Sequence, residues 1–201
     1  MAKEKMKKAS IMLIVIAFIL GFALGYEINN DTETIIKQQF ESGENILLNS
    51  GFENEIEEEP TYWYKAMIYA DNLSMTLDDS AYYNGSQSAS ISNTHVYDVN
   101  VSNNWAQTIN VVPIDRIIEL SGWIKTVDAE SVVMVIQCWD DDDNMVGFGT
   151  TQTQNIINGT NNWKIYNTSV LVPSNTESII VRLALTGTGQ VWFDDVTLVV
   201  V

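Results

Sequence analysis

The sequence predicts an all-β domain, a two-sheet jelly-roll β-sandwich, preceded by a hydrophobic segment. Three observations carry that expectation. From Asn45 onward, runs rich in Val, Ile, Thr and aromatic residues alternate with turn clusters. No helix of ordinary length is needed anywhere in that region. The stretches Asn49-Ser-Gly-Phe-Glu53 and Val191-Trp-Phe-Asp-Asp-Val196 stand near its two ends, each setting carboxylates beside large apolar residues, as expected if the first and last strands meet.

The elements follow in chain order. Lys3, Lys5, Lys7 and Lys8 precede an apolar run that begins at Ile11 and extends to Tyr26, and Glu27 and Asp31 follow it. A basic flank and an acidic exit leave the N-terminus in the cytoplasm and send the rest across. At ~1.5 Å per residue the 18 residues from Ala9 to Tyr26 come close to the ~30 Å hydrocarbon core of a bilayer but fall slightly short of it. Residues 1–26 are therefore expected to form a membrane anchor. The small-x-small pattern of Ala23-Leu24-Gly25 also suits a signal peptidase, so a removed signal segment is the alternative. Both readings place the remainder outside the cytoplasm, with residues 27–44 as a weakly apolar stalk and residues 45–201 as the folded domain.

Strand candidates occupy residues 46–48, 88–92, 106–112, 117–126, 132–139, 163–172, 179–185 and 190–200. Turn clusters at Asn84-Gly85-Ser86, 140–144, Asn158-Gly159-Thr160 and Pro173-Ser174-Asn175 separate them. Spacing of this kind suits a two-sheet jelly roll. The single cysteine, Cys138, lies in a strand-like run, which leaves no partner for an intramolecular disulfide and predicts a buried thiol.

Charge narrows the partners. The chain carries a net charge of −16, and beyond Tyr26 the ten basic residues fall to six while the acidic count falls only from 26 to 25, giving about −19 for the exported part. Nucleic acid and anionic lipid surfaces are poor partners for such a field. Uronate-rich polymers are disfavoured on the same ground, so a neutral or weakly basic glycan is the expected kind of sugar ligand.

The ordered set Asn49-x-Gly51-Phe52-Glu53, Pro60-x-x-Trp63, Asn84-Gly85-Ser86-x-Ser88-Ala89, Trp105-Ala106-Gln107, Leu120-Ser121-Gly122-Trp123-Ile124-Lys125, Trp163, Val172-Pro173 and Trp192-Phe193-Asp194-Asp195-Val196 resembles the carbohydrate-binding modules of families 4 and 9, the CenC-like group. It spans about residues 45–200. The resemblance implies a galactose-binding-domain-like jelly roll, a structural calcium ion and an aromatic-lined groove for glycans. Around Pro60 this chain departs from many members, because Tyr62 and Tyr64 flank Trp63.

A calcium ion takes six to eight oxygens at about 2.3–2.6 Å, mixing carboxylates with backbone carbonyls. Glu53 and Asp194 match the family's acidic positions and are the expected ligands, joined by carbonyls between residues 84 and 88. Asp195, one residue further along the strand, is expected to point to the opposite face and is the second choice. The competing reading has these acids capping strand ends in solvent. Asp140-x-Asp142-x-Asn144 imitates the start of an EF-hand loop, but Met145 and Thr151 stand where that loop needs Gly and a bidentate Glu, so a solvated hairpin tip is expected there.

Sugar binding needs flat aromatic faces and planar hydrogen-bonding groups arranged together. Strand parity places Trp123 opposite Ile118, Leu120 and Ile124, and places Gln137 and Trp139 opposite Ile136 and Cys138; Arg182 likewise opposes Val181 and Leu183. If these strands are neighbours, Trp123, Gln137, Trp139, Arg182 and Gln107 share the non-core face and form the glycan site. Trp63, Trp163 and Trp192 are expected to pack. The only histidine, His95, has no recognisable partner and no nucleophile motif is present, so a non-catalytic glycan-binding module is the expected function. A structural or adhesion protein without sugar binding, or an accessory domain of a glycoside hydrolase system, is the alternative.

Overall fold

The computed structural model describes residues 40–201. The expected anchor and residues 27–39 of the expected stalk lie outside the described residues. Among the described residues no helix is long and apolar enough to cross a membrane.

The strands are β1 (Glu55–Ile56), β2 (Glu59–Pro60), β3 (Tyr64–Ala66), β4 (Leu73–Asp78), β5 (Ser88–Asn93), β6 (Ser102–Ile109), β7 (Ile117–Trp139), β8 (Met145–Thr150), β9 (Ile157–Leu171), β10 (Ser178–Thr186) and β11 (Gly189–Val200). β1 and β2 form a small antiparallel hairpin of their own. The rest form an all-β sandwich around β7, which belongs to both sheets. Its first half pairs with β11 and β9, and its second half with β10 and β8. One sheet therefore runs β4-β5-β11-β7-β9 and the other β3-β6-β10-β7-β8, with every pairing antiparallel. The crossing falls near Asp128, whose φ is +47°, between register shifts at Thr126/Ala129 and Ala129/Val132 against β9. Such irregularities bend a strand enough to carry it from one sheet to the next.

The period-2 pattern explains the core. Ile118, Leu120 and Ile124 point inward from one sheet, and Val132, Met134, Ile136 and Cys138 from the other; Val181, Leu183, Phe193 and Leu198 complete the layer, all buried. Each large aliphatic side chain so placed contributes about 1.5–3 kcal/mol of transfer free energy. Gly122 packs tightly here: a Cβ would stand 3.0 Å from Met134 Sδ and 3.1 Å from a Val196 methyl, so those side chains would have to give by a few tenths of an ångström.

Sequence expectation and structure differ at the edges. Residues 46–48 are no strand: Asn45 makes one isolated bridge with Val199, Ile46 N–H bonds to Leu198 O, and Leu47 enters the core. β3, β4 and β8 were not expected. β4 is an edge strand that fully buries only Met75, and β8 contains Gly147 and Gly149, so neither shows a strong apolar alternation. The candidates at 117–126 and 132–139 merge into β7.

Candidate functional site

The outer face of the sheet β3-β6-β10-β7-β8 is set by register. Tyr64 pairs with Ala106, Ala106 with Arg182, and Arg182 with Val135, so these four lie in one row across the strands. The next row holds Thr108, Ile180, Gln137 and Phe148. On the other side, Asn104 pairs with Ala66 and Ala184. Ala106 and Ala184, small residues flanking Arg182, are buried beneath taller neighbours. Tyr64 and Phe148, on the two border strands, are 43% and 50% exposed. They stand about four strand spacings apart, ~19 Å along the sheet.

Arg182 is the only charged side chain at the outward strand positions of this face. Its Nε–H donates to Gln137 Oε1 at 2.8 Å and its Nη1 to Asn104 Oδ1 at 2.9 Å. A guanidinium only donates, so both amides must turn their oxygens to it and their NH₂ groups away. Among the described residues those NH₂ groups have no hydrogen-bond partner, and neither is sealed from solvent. The result is a cluster of outward donors in the middle of the face. Tyr64 OH meets Thr108 Oγ1 at 3.2 Å at one border.

Of the residues singled out from sequence, Gln137, Trp139 and Arg182 lie on this face. Trp139 sits where β7 meets β8 through a bulge, and its Nε1 is buried without a hydrogen-bond partner. Trp123 and Gln107 do not join them. Because β7 changes sheets between Trp123 and Trp139, like parity puts the two indoles on opposite outer surfaces of the sandwich. Trp123 instead stacks on Tyr83, with centroids 3.7 Å apart and planes 12° from parallel, and Trp163 meets Tyr83 edge-on at 6.2 Å. Gln107 shares the inward parity of Trp105, which is fully buried, and its amide both accepts from Leu48 N–H at 2.8 Å and donates to Leu48 O at 2.9 Å. Trp63 packs on Phe52 and Trp192 Nε1 donates to Asp78. Asn104, Tyr64 and Phe148 were missed. Parity along Asn104-Trp105-Ala106 would have found Asn104 once Trp105 was assigned to the core.

The acidic bookends do meet, across the loop that joins β4 to β5. Asp194, fully buried, accepts from Tyr83 N–H at 2.7 Å and Asn84 N–H at 3.0 Å through Oδ2, and from Asp195 N–H through Oδ1. Burial pushes its carboxyl above the usual aspartate range, against those three bonds. Glu53 accepts from Ser86 N–H at 3.0 Å and Ser86 Oγ–H at 2.6 Å. Burial opposes its ionisation, but the Ser86 and Gln87 hydrogen bonds outweigh it and hold the Glu53 carboxyl below its ordinary value. Gly85, at φ +71°, passes so close that a Cβ would run into the Glu53 carboxylate. Strand alternation does not hold at Asp195: a β-bulge with φ +45° turns it so that it too reaches the loop, accepting from Asn84 Nδ2 at 3.3 Å.

Backbone N–H groups and the Ser86 hydroxyl donate to most of the carboxylate lone pairs that the expected calcium would take from Glu53 and Asp194. Among the described residues no group of three or more His, Cys, Asp or Glu side chains is placed to hold a metal ion.

No protein-family model and no curated protein sequence matches the chain. Solved structures are similar in fold. The enzymatically active domain of tailspike protein 4 of bacteriophage CBA120 aligns with a TM-score of 0.61 at 18% identity, over 78% of this chain and 21% of that one. This chain thus spans about a fifth of that protein domain's length. A putative sugar binding protein from Bacteroides thetaiotaomicron aligns with a TM-score of 0.58 at 15% identity, over 79% of this chain and 100% of that one. The CBM22-1 xylan-binding domain of a Paenibacillus barcinonensis protein aligns with a TM-score of 0.55 at 13% identity, over 76% and 92%.

Proposed function

We propose that this protein is a non-catalytic carbohydrate-binding module of the galactose-binding-like jelly-roll type, held on the extracytoplasmic side of a membrane, which takes a glycan in a shallow groove over the β3-β6-β10-β7-β8 face. The observation that carries this reading is the Arg182, Gln137 and Asn104 donor cluster set between the exposed rings of Tyr64 and Phe148. Rings at the borders supply apolar faces for pyranose C–H surfaces, and the amides and guanidinium supply planar donors to sugar oxygens. The sugar-binding and xylan-binding proteins of similar fold support a glycan as the ligand class. The Lys-rich flank and apolar run before Tyr26 support the membrane location.

A glycan array probed with the full chain tests the proposal. Binding is expected at micromolar Kd or weaker, about −8 kcal/mol or less favourable, and Tyr64→Ala or Phe148→Ala is expected to weaken it severalfold. An array without hits, or hits indifferent to both substitutions, overturns it.

A further inference from the structure

Arg182 raises a question that glycan binding in general does not answer. The exported part of the chain has six basic residues among 25 acidic ones, yet Arg182 stands half-buried on a face with no acidic strand position. Among the described residues the only ion pair is Lys65 with Glu59. The guanidinium is held by two neutral amide oxygens, which fix its position without neutralising it. Nη2 and the second Nη1 proton remain to donate, beside the NH₂ groups of Gln137 and Asn104. A partly desolvated cation with protons left to donate, beside two amide NH₂ groups without partners, is satisfied best by an anion that only accepts.

We propose that this face selects a glycan bearing an isolated carboxylate, a uronic acid residue among neutral sugars, with the carboxylate on Arg182 and the amides of Gln137 and Asn104. The inference rests on the glycan-binding reading above and deepens it. Isolation of the charge follows from the borders. Glu177 precedes β10 and Asp140 to Asp143 form the tip between β7 and β8, so acids line the Trp139 end of the face. From Arg182 to Ser178 is four residues along β10, ~14 Å at ~3.4 Å each, beyond the ~8 Å screening length at physiological salt. A single carboxylate at Arg182 escapes that rim; a polyuronate laid along the strands runs into it. The acidic net charge therefore excludes the polyanion without excluding one acidic sugar.

The test is NMR titration of the full chain with methyl β-glucuronoside, methyl β-glucoside and oligogalacturonate, observing the Arg182 Nε–H and the Gln137 and Asn104 side-chain amides. The glucuronoside is expected to shift these signals with an affinity at least tenfold above the glucoside, with a preference that fades as salt is raised. Oligogalacturonate is expected to bind no tighter than the monosaccharide. In Arg182→Gln, checked for an unchanged melting temperature, the two monosaccharides are expected to bind equally; if that variant melts early, Arg182→Lys, which keeps the charge and loses the fixed fork, is expected to reduce the preference. Equal response to the two monosaccharides, or no response of these signals to the glucuronoside, overturns the inference. Array hits that still depend on Tyr64 and Phe148 would then leave the glycan-binding reading standing, and their absence would remove both.

Discussion

Arg182 and Gln137 are joined between neighbouring strands by an Nε–H to Oε1 hydrogen bond of 2.8 Å, two residues off direct register, since Arg182 pairs with Val135 and Gln137 with Ile180. That diagonal bond fixes the amide's orientation, and the bond to Asn104 fixes a second. A face made chiefly of Ala, Val and Thr thereby acquires directional donors at its centre.

Gln137→Glu tests what this pair is for. The substitution places a carboxylate against the guanidinium and fills the position a ligand oxygen would take. Melting temperature is expected to hold or rise slightly, since a partly exposed ion pair is worth about 0–1 kcal/mol, while glycan binding is lost. Retained binding in a folded Gln137→Glu protein would mean that the donors are structural.

Trp123 is expected to behave in the opposite way. Its stacking on Tyr83 fastens the loop before β5, on the sheet remote from Arg182. A double-mutant cycle between Trp123→Ala and Tyr83→Ala is expected to give a coupling of about 0.5–1.5 kcal/mol, and Trp123→Ala to leave glycan affinity as it was. Affinity falling with Trp123 would place the ligand on the other sheet.

Acid is expected to loosen the same loop through Glu53. Its carboxyl is depressed in the fold, so its stabilising contribution is complete above the ordinary value of 4.5 and is lost as pH falls through the lower folded value. Asp194 works the other way, because its raised carboxyl means that protonation relieves an unfavourable buried charge. Melting temperature followed from pH 6 to pH 3 should therefore fall less steeply in Glu53→Gln than in the unaltered chain. Parallel curves would show that the Ser86 bonds add nothing.

Melting in excess calcium and in chelator is expected to coincide. Loop N–H groups already satisfy Glu53 and Asp194, so the first and last strands are tied without a cation. A cation bound only by the native state would instead add about 2.7 kcal/mol at a hundredfold excess over its Kd. A drop of several degrees on chelation would show that the loop turns carbonyls inward around a metal.

Much of this was legible from residue pattern. Alternation along Val132 to Trp139 and around Arg182 gave the outward set on β7 and β10 correctly, because side-chain parity is a local property. Which sheet a half-strand joins is not local, and the crossing near Asp128 separated Trp123 from Trp139. Gln107 was misplaced because an amide next to a Trp says nothing of which one faces inward; the backbone of Leu48, a long way off in sequence, satisfies it inside. That Glu53 and Asp194 come to one loop was legible from their places at the two ends of the domain; that N–H groups of the Tyr83 to Gln87 loop donate to them was not, since this depends on backbone turns that side chains do not encode.

The most direct measurement is chemical-shift mapping of the full chain with the strongest array hit. The account predicts that perturbations gather on Tyr64, Asn104, Gln137, Phe148 and Arg182 and spare Tyr83, Trp123 and Trp163. Perturbations centred on Trp123 and Tyr83, or none on the Arg182 face, would contradict it.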